Sequence, residues 1–257
     1  MRIAVCIKRV PDTAEADVKV DSSAKAVVED KLAFTVNEAD NYALEEALLL
    51  KEKHDAEVVL VTVGQKEAEE VLRMGMAKGA ASAVRIETGA VDHADAEGIA
   101  RALAGWFAKN EFDLIVTGCI TSDVADSLVG PMLAEMLGWP HAAYTTELEM
   151  TDTGFRVKRE LEGGFLEVKE LARPCVLSIQ TGGNTPRYAS IMGIKRARSK
   201  PLTEVAKRDL DAGDYAPWTE LLKLYAPEIE SIAEMIEGDT GEKAARVAEI
   251  LKEKGLV

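Results

Sequence analysis

Much is scarce in this chain of 257 residues, and each shortage excludes something. Its three cysteines, Cys6, Cys119 and Cys175, are far apart and form no CxxC pair, so neither a disulfide framework nor a cysteine zinc site is implied. The three histidines, His54, His93 and His141, make no HExxH or other close cluster. Aromatic residues are 5% of the chain, and no apolar run approaches the roughly 20 residues of a membrane-spanning helix. The start, Met1 to Val5, runs into a strand pattern without a signal-peptide core, which predicts a cytoplasmic protein. Basic charge is also short. Asp and Glu number 45 against 31 Lys and Arg, and a net charge of −14 is a poor match for a phosphate backbone, so nucleic acid is not an expected partner. No GxGxxG fingerprint, Walker A loop or GxSxG elbow occurs, which removes the usual signatures of dinucleotide, triphosphate and serine-hydrolase chemistry.

What the chain does contain is a repeated strand and helix alternation. Arg2 to Lys8, Ala56 to Val63, Ser82 to Ile86 and Phe112 to Thr117 are continuous apolar runs of strand length, as expected of strands buried on both faces. Between them lie helical stripes. Ala43, Leu44, Ala47, Leu48 and Lys51 form the first, with Asn37 and Asp40 reading as a capping pair at its start. Ala68, Val71, Leu72 and Met76 form the second, closed by Gly79; Ala96, Ile99, Ala100, Leu103 and Phe107 the third; Ala125, Leu128, Val129, Met132, Leu133 and Met136 the fourth. The pattern predicts an α/β fold with a mostly parallel, Rossmann-like sheet.

Past residue 140 the pattern changes. Ala143 to Met150, Gly154 to Glu160 and Phe165 to Lys169 read as strands, the last two joined at Gly163-Gly164, and Pro174 to Thr181 returns to a buried-strand composition. Arg187 to Lys200 holds five basic residues and no acidic one, a local reversal of the chain's charge. From about Pro201 the sequence is acidic, broken by Gly213, Pro217 and Pro227, and ends in a helix predicted from Gly241 to Lys254. The expected organisation is a nucleotide-binding domain over 1–200, with a basic segment at 183–200, and a C-terminal arm over 201–257 that packs on a partner.

In an open parallel sheet, ligands lie beyond the carboxyl ends of the strands, where helix N-termini offer free N–H groups. Here that selects the loop after Lys8, the Asn37 to Asp40 turn, the end of the second strand at Val63, and the segment Gly118 to Gly130. The last offers Thr121, Ser122, Asp123 and Ser127 to a phosphate or ribose; the plainer alternative is that Ser122 or Asp123 caps the fourth helix. No nucleophile or general base stands out, so the residues by themselves give a nucleotide site and no reaction.

Several motifs carry a family resemblance. Val5 to Thr13 (VCIKRVPDT), Val36 to Leu48 (VNEADNYALEEAL), Val157 to Ser178 (VKRELEGGFLEVKELARPCVLS) and Gly183 to Ala197 (GNTPRYASIMGIKRA) together resemble the β subunits of electron transfer flavoproteins, in order and in spacing. The resemblance implies the adenine nucleotide α-hydrolase-like variant of the fold, with a β-hairpin extension. It implies a heterodimer with an α subunit that holds most of a shared FAD, a β site that buries AMP, and electrons passing from acyl-CoA dehydrogenase-type donors to a quinone oxidoreductase or other acceptor. The chain would then be an electron carrier's subunit, with no catalytic residue of its own and a place in fatty acid oxidation.

Carried over by position, the nucleotide site is Cys6; Asn37, Glu38, Ala39 and Asp40; Val63; and the loop made by Gly118, Cys119, Ile120, Thr121, Ser122, Asp123, Val124, Ala125, Asp126, Ser127, Leu128 and Val129. The same resemblance assigns docking of the dehydrogenase to Arg187, Tyr188, Ala189, Ser190, Ile191 and Met192 with Lys195, Arg196 and Arg198, and places Ile191 as the apolar anchor. Glu160 becomes an acid that interacts across the subunits. The chain departs from the family at Cys119, Ile120 and Thr121, and carries Asp95 and Ala96 where electron-bifurcating members have an ADT motif. A second FAD in the β site, as in those members, is therefore the alternative to AMP; an α/β module that senses nucleotides is the alternative from another class.

Overall fold

The computed structural model describes residues 1–13, 18–30, 32–87, 95–210, 218–227, 233 and 235–257. Gly213 and Pro217 of the arm, and His93, lie outside them. The chain forms two compact units, Met1–Lys223 and Leu224–Val257.

In chain order the strands are β1 Arg2–Cys6, β2 Arg9–Pro11, β3 Phe34–Val36, β4 Glu57–Val63, β5 Ser82–Glu87, β6 Leu114–Gly118, β7 His141–Met150, β8 Gly154–Glu160, β9 Leu166–Ala172, β10 Cys175–Ile179 and β11 Leu202–Ala206. The helices are α1 Glu38–His54, α2 Glu69–Lys78, α3 Ala96–Phe107, α4 Val129–Leu137, α5 Ile191–Ala197 and α6 Thr240–Glu253. A nine-stranded sheet runs β11-β5-β4-β1-β6-β10-β7-β8-β9, and β2 pairs with β3 in a small antiparallel ribbon. Every pairing from β11 to β7 is parallel, and only the β7-β8-β9 extension is antiparallel.

The unbroken apolar runs are explained by what each face meets. Ile3, Val5, Val58, Leu60, Leu114 and Val116 point into a core with α1 and α2, whereas Ala4, Val59, Val61 and Ile115 point into a second core with α3 and α4. Alternate side chains of a strand take opposite faces, so a strand covered by helices on both sides is apolar at most positions on each face. The helical stripes behave the same way: Ala43, Leu44, Ala47 and Leu48 of α1 and Val71, Leu72 and Met76 of α2 are all buried.

Three expectations need correction. The fourth helix begins at Val129, four residues later than its apolar stripe suggests, because Ala125 and Ser127 sit in the left-handed region at φ 55° and 50° and no helix can run through them. Ala125 therefore belongs to the preceding loop. Its start also suits Pro131, whose missing N–H falls in the first turn where none is needed. Second, neither Ser122 nor Asp123 caps that helix: Leu128 occupies the cap position and its side chain bonds nothing there. Third, Asn37 stands at the N-cap of α1 without making a cap bond; its amide is used elsewhere.

The extension starts where β7 leaves β10. Tyr144 adopts φ 55° and the β7 register slips on both flanks, so this ten-residue strand bends from its parallel neighbour towards β8. Gly163 and Gly164, both at φ 76°, close the β8-β9 turn as expected. In the second unit, α6 opens with a complete capping box, Asp239 and Glu242, yet none of its side chains is buried.

Candidate functional site

β1 is flanked by β4 on one side and β6 on the other, which makes the β1/β6 carboxyl ends the point where the strand order reverses. A crevice opens at such a point in doubly wound sheets. The chain fills its floor with one carboxylate. Asp40, in the first turn of α1, accepts the Lys8 N–H beyond β1 at 2.8 Å with one oxygen and the Gly118 N–H at the end of β6 at 3.0 Å with the other. It is 4% exposed. Burial pushes its carboxyl up to about 7, against the pull of the Asn37 amide, the two N–H groups and the Lys8 ammonium. The fit is close: a Cβ on Gly118 would lie 2.4 Å from the Asp40 carboxylate and 2.8 Å from Ala39 Cβ, so only glycine lets β6 approach α1 here.

The loop after Gly118 is held off the sheet by reciprocal bonds from the same helix start. Asn37 Nδ2 donates to the Ile120 carbonyl at 2.9 Å, and its Oδ1 accepts the Ser122 N–H at 3.1 Å. That is why Asn37 makes no cap bond. The Lys8 ammonium reaches Asp123 at 2.6 Å across the mouth. The Ala125 N–H donates to the Thr121 carbonyl at 2.9 Å. Val124 and Leu128 turn outward, Asp126 and Ser127 are half-buried, and the loop delivers the chain to Val129 at the uncapped N-terminus of α4.

Sequence-predicted residues thus fall into place unequally. Cys6, Asn37, Ala39, Asp40 and Gly118 to Val129 gather at the β1/β6 ends; Glu38 is at the start of α1 but exposed; Val63 ends β4, on the other side of β1. Burial raises the thiols of Cys6 and Cys119, with Asp40 adding to each, so both stay protonated.

One residue at this end escaped the sequence reading. Gln180, just past β10, accepts the Cys119 Sγ–H at 3.2 Å and donates to Glu160 at 3.3 Å, linking the loop to the hairpin acid. Its signal is its place at the carboxyl end of β10, where sites in parallel sheets lie. Beneath α4, Thr117 Oγ1 donates to Ser178 Oγ at 3.0 Å and His141 Nε2 lies 3.1 Å from the same oxygen; burial, with Arg159 and Lys169 nearby, drops His141 to about 4 and keeps it neutral.

The docking residues form a separate group on and before α5, a helix that packs against α2 at Gly193. The guanidinium of Arg187 is bound within the chain, to Glu45 and Glu52 of α1. Ala189 is half-buried and Ser190 caps α5 through the Gly193 N–H at 3.0 Å. Tyr188 and Ile191 are bare, at 98% and 86% exposure, and Met192, Lys195, Arg196 and Arg198 are exposed beside them. Within the basic segment, Ile191–Ala197 thus forms a short helix.

A mostly parallel α/β sheet with helices on both faces and a strand order that reverses at β1/β6 defines a doubly wound, Rossmann-like class of protein. Comparison narrows it. Residues 25–210 match the family model for the electron transfer flavoprotein domain. The chain is 38% identical to the electron transfer flavoprotein subunit beta of Methylophilus methylotrophus over 98% of both chains, and 34% identical to that of Bacillus subtilis over the whole of both. It is 33% identical, again over the whole of both chains, to a subunit of the caffeyl-CoA reductase-Etf complex of Acetobacterium woodii. The chain therefore belongs to the electron transfer flavoprotein family, on the β-subunit side, and its role is electron transfer. Among the described residues, no helix is long and apolar enough to cross a membrane, and no group of three His, Cys, Asp or Glu is placed to hold a metal.

Proposed function

We propose that this chain pairs with an α subunit to form a heterodimer whose FAD is held mainly by α, and that it buries AMP at the β1/β6 strand ends. The carrying observation is Thr121: its hydroxyl oxygen is buried in the Gly118 to Val129 loop with no hydrogen-bond partner. A buried unpaired hydroxyl is costly, so one in this strand-end loop fits a bound ligand. The N–H groups at the uncapped start of α4 suit a phosphate. Asn37 and Lys8 hold the loop in shape, and Asp40 ties the two strand ends beneath it.

When bound, the shared flavin carries the electrons. The chain's own residues orient and present it: Glu160 lies on the hairpin beside the exposed Leu161, Phe165, Leu166 and Val168, an apolar edge suited to the α subunit. The side chains of α6, none of them buried, leave that helix free to pack on a partner. Donor docking falls to Tyr188, Ile191 and Met192, ringed by Lys195, Arg196 and Arg198, a combination that fits an acyl-CoA dehydrogenase-type partner with an apolar pocket and an acidic rim. Electrons then pass to a quinone oxidoreductase or another acceptor.

AMP is preferred to a second FAD because Asp95, the residue nearest an ADT motif, is committed within the chain. Its carboxylate accepts the Gly98 N–H as the α3 cap, and the Trp218 and Thr219 N–H groups and the Thr219 hydroxyl, at 2.8–3.1 Å. Purifying the heterodimer, releasing its ligands by heat and quantifying them decides the matter. Equal FAD and AMP supports this reading; two FAD without AMP replaces it with the bifurcating one; no flavin and tight ATP binding would leave a nucleotide-sensing module.

A further inference from the structure

Helix α5 has seven residues and buries one side chain, Ala197. A helix so short is not stable alone. It is held from behind at both ends. On the approach, the Arg187 N–H donates to Glu45 Oε2 at 3.0 Å, and its Nε and Nη2 donate to the same carboxylate at 2.8–3.0 Å, while Nη1 reaches Glu52. Asn184 Nδ2 donates to the Tyr42 carbonyl at 3.1 Å and to Glu46 at 2.9 Å, also on α1. At the far end, Arg73 of α2 donates to the carbonyls of Ala197 and Lys200, at 2.8 and 2.9 Å. Lys200 returns the contact, donating to the carbonyls of Met76 and Ala80 at 2.9 and 2.6 Å. Between them Gly193 lies so close to α2 that a Cβ would stand 2.3 Å from the Ala77 carbonyl oxygen.

These bonds fix backbone and leave the residue after Arg187 wholly bare. Resting on the docking reading above, we infer that Glu45, buried on α1, is the positioning residue that presents the Tyr188-Ile191 anchor in its bound shape. A carboxylate at 5% exposure must be paired, and an apolar residue at that helix position would have packed as well or better if stability were the only demand. Here the ion pair secures a segment that contributes almost nothing to the core. Its use is preorganisation: a segment already ordered does not have to be ordered on binding.

The test uses the intact heterodimer, reduced by a medium-chain acyl-CoA dehydrogenase with octanoyl-CoA as electron source. Glu45→Gln keeps the shape but weakens the fork. It raises KM for the heterodimer about five- to tenfold, the cost of ordering a side chain or two, with kcat and FAD content unchanged. Amide exchange at 188–197 quickens. In an Ile191→Ala background the same change costs under about twofold, since a misplaced anchor that is already gone cannot be missed. If Ile191→Ala raises KM and Glu45→Gln does not, or if the two effects simply add, the positioning role is wrong and docking stands. If Ile191→Ala leaves KM unchanged, docking itself is wrong. Should Glu45→Gln fail to assemble, Arg187→Lys, which keeps the charge and loses the planar fork, carries the same expectation, and an unchanged KM there overturns the inference.

Discussion

The strand-end crevice and the α5 patch use opposite means of holding something. In the crevice, polar side chains reach from one element to another: Asp40 joins α1 to β1 and β6, Asn37 joins α1 to the loop, and Lys8 joins β1 to Asp123. At the patch, polar bonds lie behind the helix and apolar side chains stand in front of it. The first arrangement suits a ligand that stays, because closing around it satisfies groups already buried. The second suits a partner that leaves, because a small apolar contact forms without reordering and dissociates readily.

The largest effect should come from cutting the crevice's tie. Asp40→Ala leaves the Lys8 and Gly118 N–H groups without their acceptor, at a cost of about 2 kcal/mol for two part-buried donors. Unfolding midpoints should fall accordingly, and bound AMP should drop from stoichiometric to well below it. A variant that keeps its AMP would show that the loop is held by Asn37 and Lys8 alone. At the patch, Ile191→Ala removes an exposed anchor worth about 2 kcal/mol, roughly 30-fold in docking affinity, if it is the centre of the contact. Flavin and AMP contents should not move, since nothing at the strand ends touches it. Loss of either ligand would erase the distinction between the two regions.

The crevice also carries a pH signature of its own. Asp40 is raised in the folded chain to about 7, above its value of 3.8 when free. A raised carboxyl holds its proton more tightly when folded, so its contribution is present below about pH 4, is lost as pH rises through 7, and is flat beyond. Lys8, Cys6, Cys119 and Asp123 are the ionisable groups around it, and neither thiol titrates in this window because burial raises both. Denaturation of wild type should therefore lose on the order of 1 kcal/mol between pH 6 and 8 relative to Asp40→Asn. Parallel curves would place the carboxyl outside the buried crevice.

How far the sequence foretells this depends on whether the signal is local. The double-sided strands, the stripes of α1 and α2 and the Gly163-Gly164 turn follow from periodicity and backbone freedom within a few residues. The strand-end rule likewise picks out the crevice. What periodicity misses is set by partners distant in the chain. Asn37 looks like a cap because caps are local; its true acceptors and donors lie 83 and 85 residues away. The resemblance gives Arg187 a docking role and no local signal marks its pairing; its carboxylate is 142 residues away on α1. The apolar stripe starting at Ala125 promises a helix, yet the left-handed turns at Ala125 and Ser127 shape a loop instead, and no composition rule marks such residues.

The smallest effect concerns charge at the patch. Lys195, Arg196 and Arg198 are exposed and lie on a chain of net charge −14, so against an acidic partner they are a local attraction within a general repulsion. Such charges act at a distance and mainly before contact, which makes them a matter of association rate and ionic strength. Replacing all three by alanine should slow association with the dehydrogenase about three- to tenfold at low salt and by much less at high salt, with the dissociation rate barely changed. The Ile191→Ala variant should show the reverse: faster dissociation, and little dependence on salt. If instead the triple replacement speeds dissociation as strongly as Ile191→Ala does, the basic residues sit inside the contact, and the patch resembles the crevice in being held by polar bonds.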